Sequence, residues 1–156
     1  MQPLDIGSES GFPAGDLSNF EAREFIFDGV LCRSMEGLVQ AFKTPDISEQ
    51  IEICQLVGRD AKRRGRKLNA NWQSVQKLWW QGQEFERTGP EYQKLLNRAF
   101  LALAQNDSFR RALLATGEAP LIHTIGNSNP TLTVLTEAEF CSRLTALRDF
   151  VRTPIL

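Results

Sequence analysis

The segment SMEGLVQAFK, from Ser34 to Lys43, carries a carboxylate, an amide and an amine at Glu36, Gln40 and Lys43. On a helix these positions are i, i+4 and i+7, so the three side chains leave within ~60° of one another. A carboxylate and an amine on one cleft wall are the components of general acid–base and amine-nucleophile catalysis. Met35, Leu38, Val39 and Phe42 define an apolar face about a quarter to a third of a turn away. The polar trio therefore lies at the edge of the buried face, where a cleft can open. By spacing alone, a solvated strip with a weak ion pair fits the same pattern.

A second chemical feature is GRDAKRRGRK, with six basic residues at Arg59, Lys62, Arg63, Arg64, Arg66 and Lys67. Arginine forks bind phosphate oxygens, and Gly65 lets backbone approach closely. A solvated basic helix end and a nucleic-acid patch are the alternatives. Trp72, Trp79 and Trp80 cluster just beyond it; one could stack on a flat base, and core packing suits most of them. His123, in LIHTI, is the only histidine, and as a residue type it sits more often in a core or strand than at a catalytic centre. No Walker loop, GxGxxG or GxSxG occurs.

The elements that must position these groups are mostly helices. REFIFDGVLCRS reads as a hairpin turning at Asp28-Gly29. Ser34 caps a helix over Met35 to Phe42. A second helix covers PDISEQIEICQLVG, with Ile47, Ile51, Cys54 and Val57 inward; Gly58 closes it or it runs on into the basic stretch. NANWQSVQKLWWQG reads as a third, capped by Asn71, with Trp72, Val75, Leu78 and Trp79 at helical spacing. PEYQKLLNRAFLALAQN is a fourth, with Pro90 in its first turn and Tyr92, Leu95, Leu96, Ala99, Phe100 and Leu103 buried. Asp107 caps a fifth that ends at Thr116-Gly117. LIHTI is a strand candidate. Thr136 and Glu139 form a capping box for a last helix burying Phe140, Leu144, Leu147 and Val151. The expectation is a mainly α single domain with a small β-hairpin and strand element, at residues 16–152, after a flexible arm at 1–15.

Composition narrows the classes. The 156 residues suit one domain; 42% are hydrophobic and 24% charged, as in a globular protein with a substantial core. Net charge is −1, so any attraction for polyanions must be local. Cys32, Cys54 and Cys141 are few, widely spaced and set among apolar residues, which suits buried thiols in a reduced cytoplasm. A single histidine and no CxxC argue against a zinc centre. No basic leader with an apolar run and no ~20-residue apolar stretch points to export or a membrane.

LSNF at 17–20, DGVLCRSMEGLVQAFK, AKRRGRK, Trp72 and FLALAQNDSFRRALLATGEAPLIHT, in that order, resemble the NADAR superfamily. That group includes YbiA-like proteins, riboflavin-biosynthesis-intermediate N-glycosidases and hydrolases that remove ADP-ribose from guanine. The likeness spans about residues 16–148 and is most specific in S-x-E-x-x-x-Q-A-x-K with Asn19-Phe20. It implies cleavage of an N-glycosidic bond between a phosphorylated ribose and a base, without cofactor or metal. Glu36 would be the central carboxylate and Lys43 the active-site amine. Asn19, Gln40 and Arg66 would bind ligand, Lys62 and Gly65 would join Arg66 at phosphates, and Phe20 and Trp72 would be pocket walls. The implied partner is a small ribose–base molecule or ADP-ribosylated nucleic acid. A module that binds ADP-ribose or an NAD-related nucleotide without turnover is the alternative. Many bacterial members have a Glu after TG-x-x-x-L-x and then a Trp-Gly. Here His123 stands at the Glu position and IGNSNPTLTVL follows, which fits a divergent, phage-like member with a different second half of the site.

Overall fold

The computed structural model describes residues 1–153. Its elements are mostly helical: α1 (Met35–Ala41), α2 (Ile47–Cys54), α3 (Gly58–Arg66), α4 (Asn69–Val75), α5 (Pro90–Leu103), α6 (Asp107–Ala115) and α7 (Glu137–Arg152). Six short strands make three two-stranded sheets. β1 (Leu4–Asp5) pairs in parallel with β6 (Leu121–Ile122); β2 (Phe25–Phe27) with β3 (Val30–Cys32), and β4 (Lys77–Trp80) with β5 (Gln83–Glu86), are hairpins. The mainly α, single-domain expectation holds.

The first hairpin turns at Asp28-Gly29, both with positive φ (48° and 81°), the geometry a two-residue turn requires. Ser34 Oγ accepts from Gly37 N at 2.9 Å and starts α1. The apolar stripe of α5 is buried as its spacing predicts, and the Thr136–Glu139 capping box opens α7. The cap of α6 falls one residue early, on Asn106, whose Oδ1 accepts from Phe109 N at 3.0 Å.

Four expectations change. The helix over residues 69–82 stops at Val75, because Gln76 takes a left-handed φ of 52° and the chain enters a hairpin. There the strand alternation of Leu78, Trp80 and Phe85 supplies the buried face, while Val75 is exposed and Trp79 half-buried. In α2, Ile47 and Ile51 face out and Gln50 is buried. The Gln50 amide donates to Thr44 O (2.8 Å) and Trp79 O (3.1 Å), so satisfying loop carbonyls decides which face turns inward. α2 ends at Cys54, and Gly58, with φ of 56°, opens α3 instead of closing α2. The N-terminal stretch is no loose arm. Leu4 N and Ile6 N donate to Pro120 O and Ile122 O, and Ile6 is fully buried.

A buried ion pair fastens the C-terminal half. Arg87, 1% exposed, meets the Glu139 carboxylate at 2.7 and 3.1 Å and donates through Nε to Thr133 O. Burial pushes the Glu139 carboxyl up, but hydrogen bonds from Arg87, Gln93 and the Thr136 backbone outweigh it and hold its pKa below the ordinary 4.5. A lowered carboxyl pKa gives stability that is complete above the unfolded value and fades below it. Arg87→Met should therefore cost about 3 kcal/mol at pH 7 in urea unfolding, with the deficit shrinking below about pH 4.5.

Candidate active site

α1 is held where three segments meet. Gly37 faces the end of α2 so closely that a Cβ there would lie 2.8 Å from the carbonyls of Ile53 and Leu56. The Glu36 amide donates to Asn19 O at 3.1 Å, which ties LSNF to the start of α1. At the other end the helix closes on Phe42, and Lys43 follows in the turn just beyond, with its N–H on Gln40 O.

A cavity of about 530 Å³ opens along this strip. Glu36, Gln40 and Lys43 form one wall, and Asn19 and Phe20 the edge beside it. Lys62 and Arg66, one turn apart on α3, contribute the cationic side. Neither is ion-paired among the described residues, whereas Arg64 is taken up by Glu49 and Glu52. Lys62 Nζ lies 5.8 Å from the centre of the Phe20 ring. His123 and the loop around Leu132–Leu135 complete its lining.

Glu36 accepts from Gln40 Nε2 at 3.1 Å. Burial pushes its carboxyl pKa up, against the pull of the Gln40 hydrogen bond and the nearby Lys62 and Lys43 charges. Lys43 is 7% exposed, and its Nζ donates to Asn69 Oδ1 at 2.6 Å. Burial lowers its pKa from 10.5 to about 8; Lys62 and Arg66 push the same way and Glu36 opposes. The pair thus combines a carboxyl that resists ionising with an amine that readily loses its proton, an arrangement found where groups exchange protons or attack carbonyl-like carbon. His123 Nδ1 lies 2.6 Å from Ile6 O, and its ring meets Phe140 edge-on at 5.2 Å.

Eight of the ten residues singled out in the sequence line this cavity: Asn19, Phe20, Glu36, Gln40, Lys43, Lys62, Arg66 and His123. Two do not. Trp72 is fully buried in the core and reaches the site only through its indole N–H, 3.2 Å from Asn69 Oδ1. Gly65 faces Gln40, not a ligand: a Cβ would fall 1.7 Å from Gln40 Oε1, a buried oxygen without a hydrogen-bond partner. The close approach it permits is helix to side chain. Sequence reading missed Asn69, whose signal was an Asn one turn before Trp72, and missed the Leu132–Leu135 wall, which carries no local signal.

The fold carrying this site is YbiA-like. It matches the NMR structure of the E. coli protein YbiA with a TM-score of 0.63, over 97% of this chain and 87% of that one, at 22% identity. The sequence model of the family described as bacteriophage protein GP30.3 matches residues 11–149. A phage T4 protein, "Uncharacterized 17.1 kDa protein in Gp30-rIII intergenic region", is 36% identical over 151 residues, 96% of this chain and 99% of its own length. The chain belongs to the bacteriophage GP30.3 family, and is the divergent, phage-type YbiA/NADAR member that its motifs resemble. No helix among the described residues is long and apolar enough to cross a membrane.

Two outcomes follow from this geometry. A depressed lysine pKa costs stability wherever the amine must be charged, so stability rises with pH between about 8 and 10.5. Lys43→Met should remove that rise and stabilise the fold at pH 7, by up to about 3 kcal/mol in chemical denaturation. Gly65→Ala should displace Gln40 and cost about 1–3 kcal/mol by overpacking, with loss of the Glu36–Gln40 hydrogen bond visible in the Gln40 side-chain amide resonances.

Proposed function

We propose that this protein is an N-glycosidase that cleaves the bond between a phosphorylated ribose and a nitrogenous base. The observation that carries this reading is the convergence of Glu36 and Lys43 on one cavity that is also lined by the cations Lys62 and Arg66, which are unpaired among the described residues. Phosphate oxygens of the ribose sit against Lys62 and Arg66. Loss of the base leaves an oxocarbenium-like centre at ribose C1, which the Glu36 carboxylate stabilises when ionised. In its protonated form Glu36 supplies a proton to the departing base. Water then adds to C1 and gives its proton to the Glu36 carboxylate. In the alternative route the neutral Lys43 amine attacks C1 of the ring-opened glycoside, the protonated base departs from C1 as the Schiff base forms, and water adds to the imine carbon to release the sugar and restore the amine. Asn19 and Gln40 orient the ribose, and Phe20 covers the base. His123 supplies a further polar group in the lining. Neither metal nor cofactor enters these steps.

The ribose is carried either on a free phosphorylated ribosylamino-pyrimidine or as ADP-ribose on guanine in nucleic acid. Mass spectrometry of the protein incubated with each substrate in parallel separates these cases. Released ribose 5-phosphate or ADP-ribose, reduced at least 10²-fold by Glu36→Gln and by Lys43→Ala, is the expected result. Full turnover by Glu36→Gln overturns the mechanism. Intact substrates with measurable ADP-ribose binding would mark a nucleotide-binding module instead.

A further inference from the structure

We propose that Asn69 is a positioning residue for Lys43: its side-chain oxygen, locked in place by the Trp72 indole, aims the amine into the cavity and, being neutral, leaves that amine free to lose its charge. The inference rests on Lys43 being the reactive amine.

Two donors converge on one oxygen. Lys43 Nζ lies 2.6 Å and Trp72 Nε1 3.2 Å from Asn69 Oδ1. The indole N–H can only donate, and so can an ammonium, so the amide must present its oxygen to both and cannot flip. Trp72 is fully buried and therefore fixed by packing, which makes its N–H a rigid anchor for Asn69. A neutral amine that gives one N–H to this oxygen has its lone pair directed elsewhere. The open direction for a side chain 7% exposed is the cavity it lines.

The choice of amide over carboxylate matters electrostatically. The charged groups that face Lys43 are Glu36 from α1 and Lys62 and Arg66 from α3. Only Glu36 favours the ammonium form. Position 69, on α4, contributes an acceptor of the same geometry as a carboxylate oxygen but without its charge. An aspartate there would keep the hydrogen bond and add a second anion at contact distance.

The test uses erythrose 4-phosphate, an aldehyde with a phosphate, and cyanoborohydride. The amine adds to the aldehyde carbon, water leaves, and hydride reduces the imine to a stable adduct located at Lys43 by peptide mass spectrometry. In the full chain, labelling should be half-maximal near pH 8. Asn69→Asp should move that midpoint up by at least one pH unit, leaving about tenfold less adduct at pH 7. Trp72→Phe keeps a ring in the core but removes the donor; it should leave the midpoint in place and slow labelling severalfold at pH 9.5. Asp is favourable in the first turn of a helix, so Asn69→Asp is expected to fold, which a circular-dichroism melt checks. An unmoved midpoint in Asn69→Asp, or wild-type labelling rates in Trp72→Phe, overturns the proposal. Failure to label Lys43 in the wild type overturns the reading of Lys43 as the reactive amine, and the proposal with it. Labelling needs no glycosidic turnover, so a negative substrate assay and a negative positioning result are separable.

Discussion

The structure depends on how deeply α1 is set between α2 and α3. Two glycines on opposite sides of that contact make the depth possible. Gly37, on α1 itself, admits the C-terminal carbonyls of α2, and Gly65, on α3, admits the Gln40 side chain. A Cβ at Gly37 would press on backbone carbonyls and drive the helices apart, whereas one at Gly65 would displace the Gln40 side chain; in a close-packed interior either shift reaches the neighbours. Because α1 is so deep, Gln40 and Lys43 are buried with it, at 6% and 7% exposure. The same packing that gives the domain its apolar centre, around Leu38, Val39 and Phe42, carries three polar side chains to the bottom of a cavity.

Such groups are costly unless something answers them. Here the answers are incomplete. Lys43 has an amide oxygen in place of a carboxylate partner, Glu36 has one side-chain donor, and Gln40 Oε1 has none. The result is a carboxyl and an amine that both resist ionisation. Compare Arg87 and Glu139, elsewhere in the fold, where a bidentate pair with further hydrogen bonds leaves the carboxyl firmly ionised. One buried pair is built for permanence and the other is left poised. Poised groups cost stability, and proteins retain them where a site needs them.

How much of this was legible in the sequence follows from the range of the interactions. The strip Glu36–Gln40–Lys43 was readable because it is local: one capped helix and the turn that closes it set all three directions. Arg66 and Lys62 were readable for the same reason, being one turn apart on α3. Gly65 was noticed but misjudged, since nothing local says whether a small residue faces a ligand or a neighbouring side chain. Trp72 was placed at the cavity, yet the chain leaves the helix at Gln76 and the ring goes to the core. The N-terminal stretch looked unstructured because its strand is two residues long and pairs with residues more than a hundred positions away. The Leu132–Leu135 lining depends on side chains from other elements: Arg87 and Tyr92 hold the carbonyls of Thr133 and Val134. No window of sequence contains those pairings.

The long-range pairings also bear on the chemistry, because they close the cavity over charges that act on one another. Lys62 and Arg66 lower the pKa of Lys43 through space. An anion bound between those cations would screen them, and the Lys43 amine would then hold its proton more tightly. Linkage makes this reciprocal: a protonated Lys43 strengthens anion binding, and a neutral one weakens it. Without an anion the Lys43 pKa stays lowered, at about 8, and a phosphate bound between the cations would raise it and favour the charged form. The same anion would screen the Lys62 charge that eases Glu36 ionisation, so the Glu36 carboxyl too would hold its proton more tightly. The arrival of negative charge at α3 thus biases both groups toward their protonated forms. This coupling is electrostatic and runs between side chains whose places are set by the glycine contacts of α1 and by the amide of Asn69.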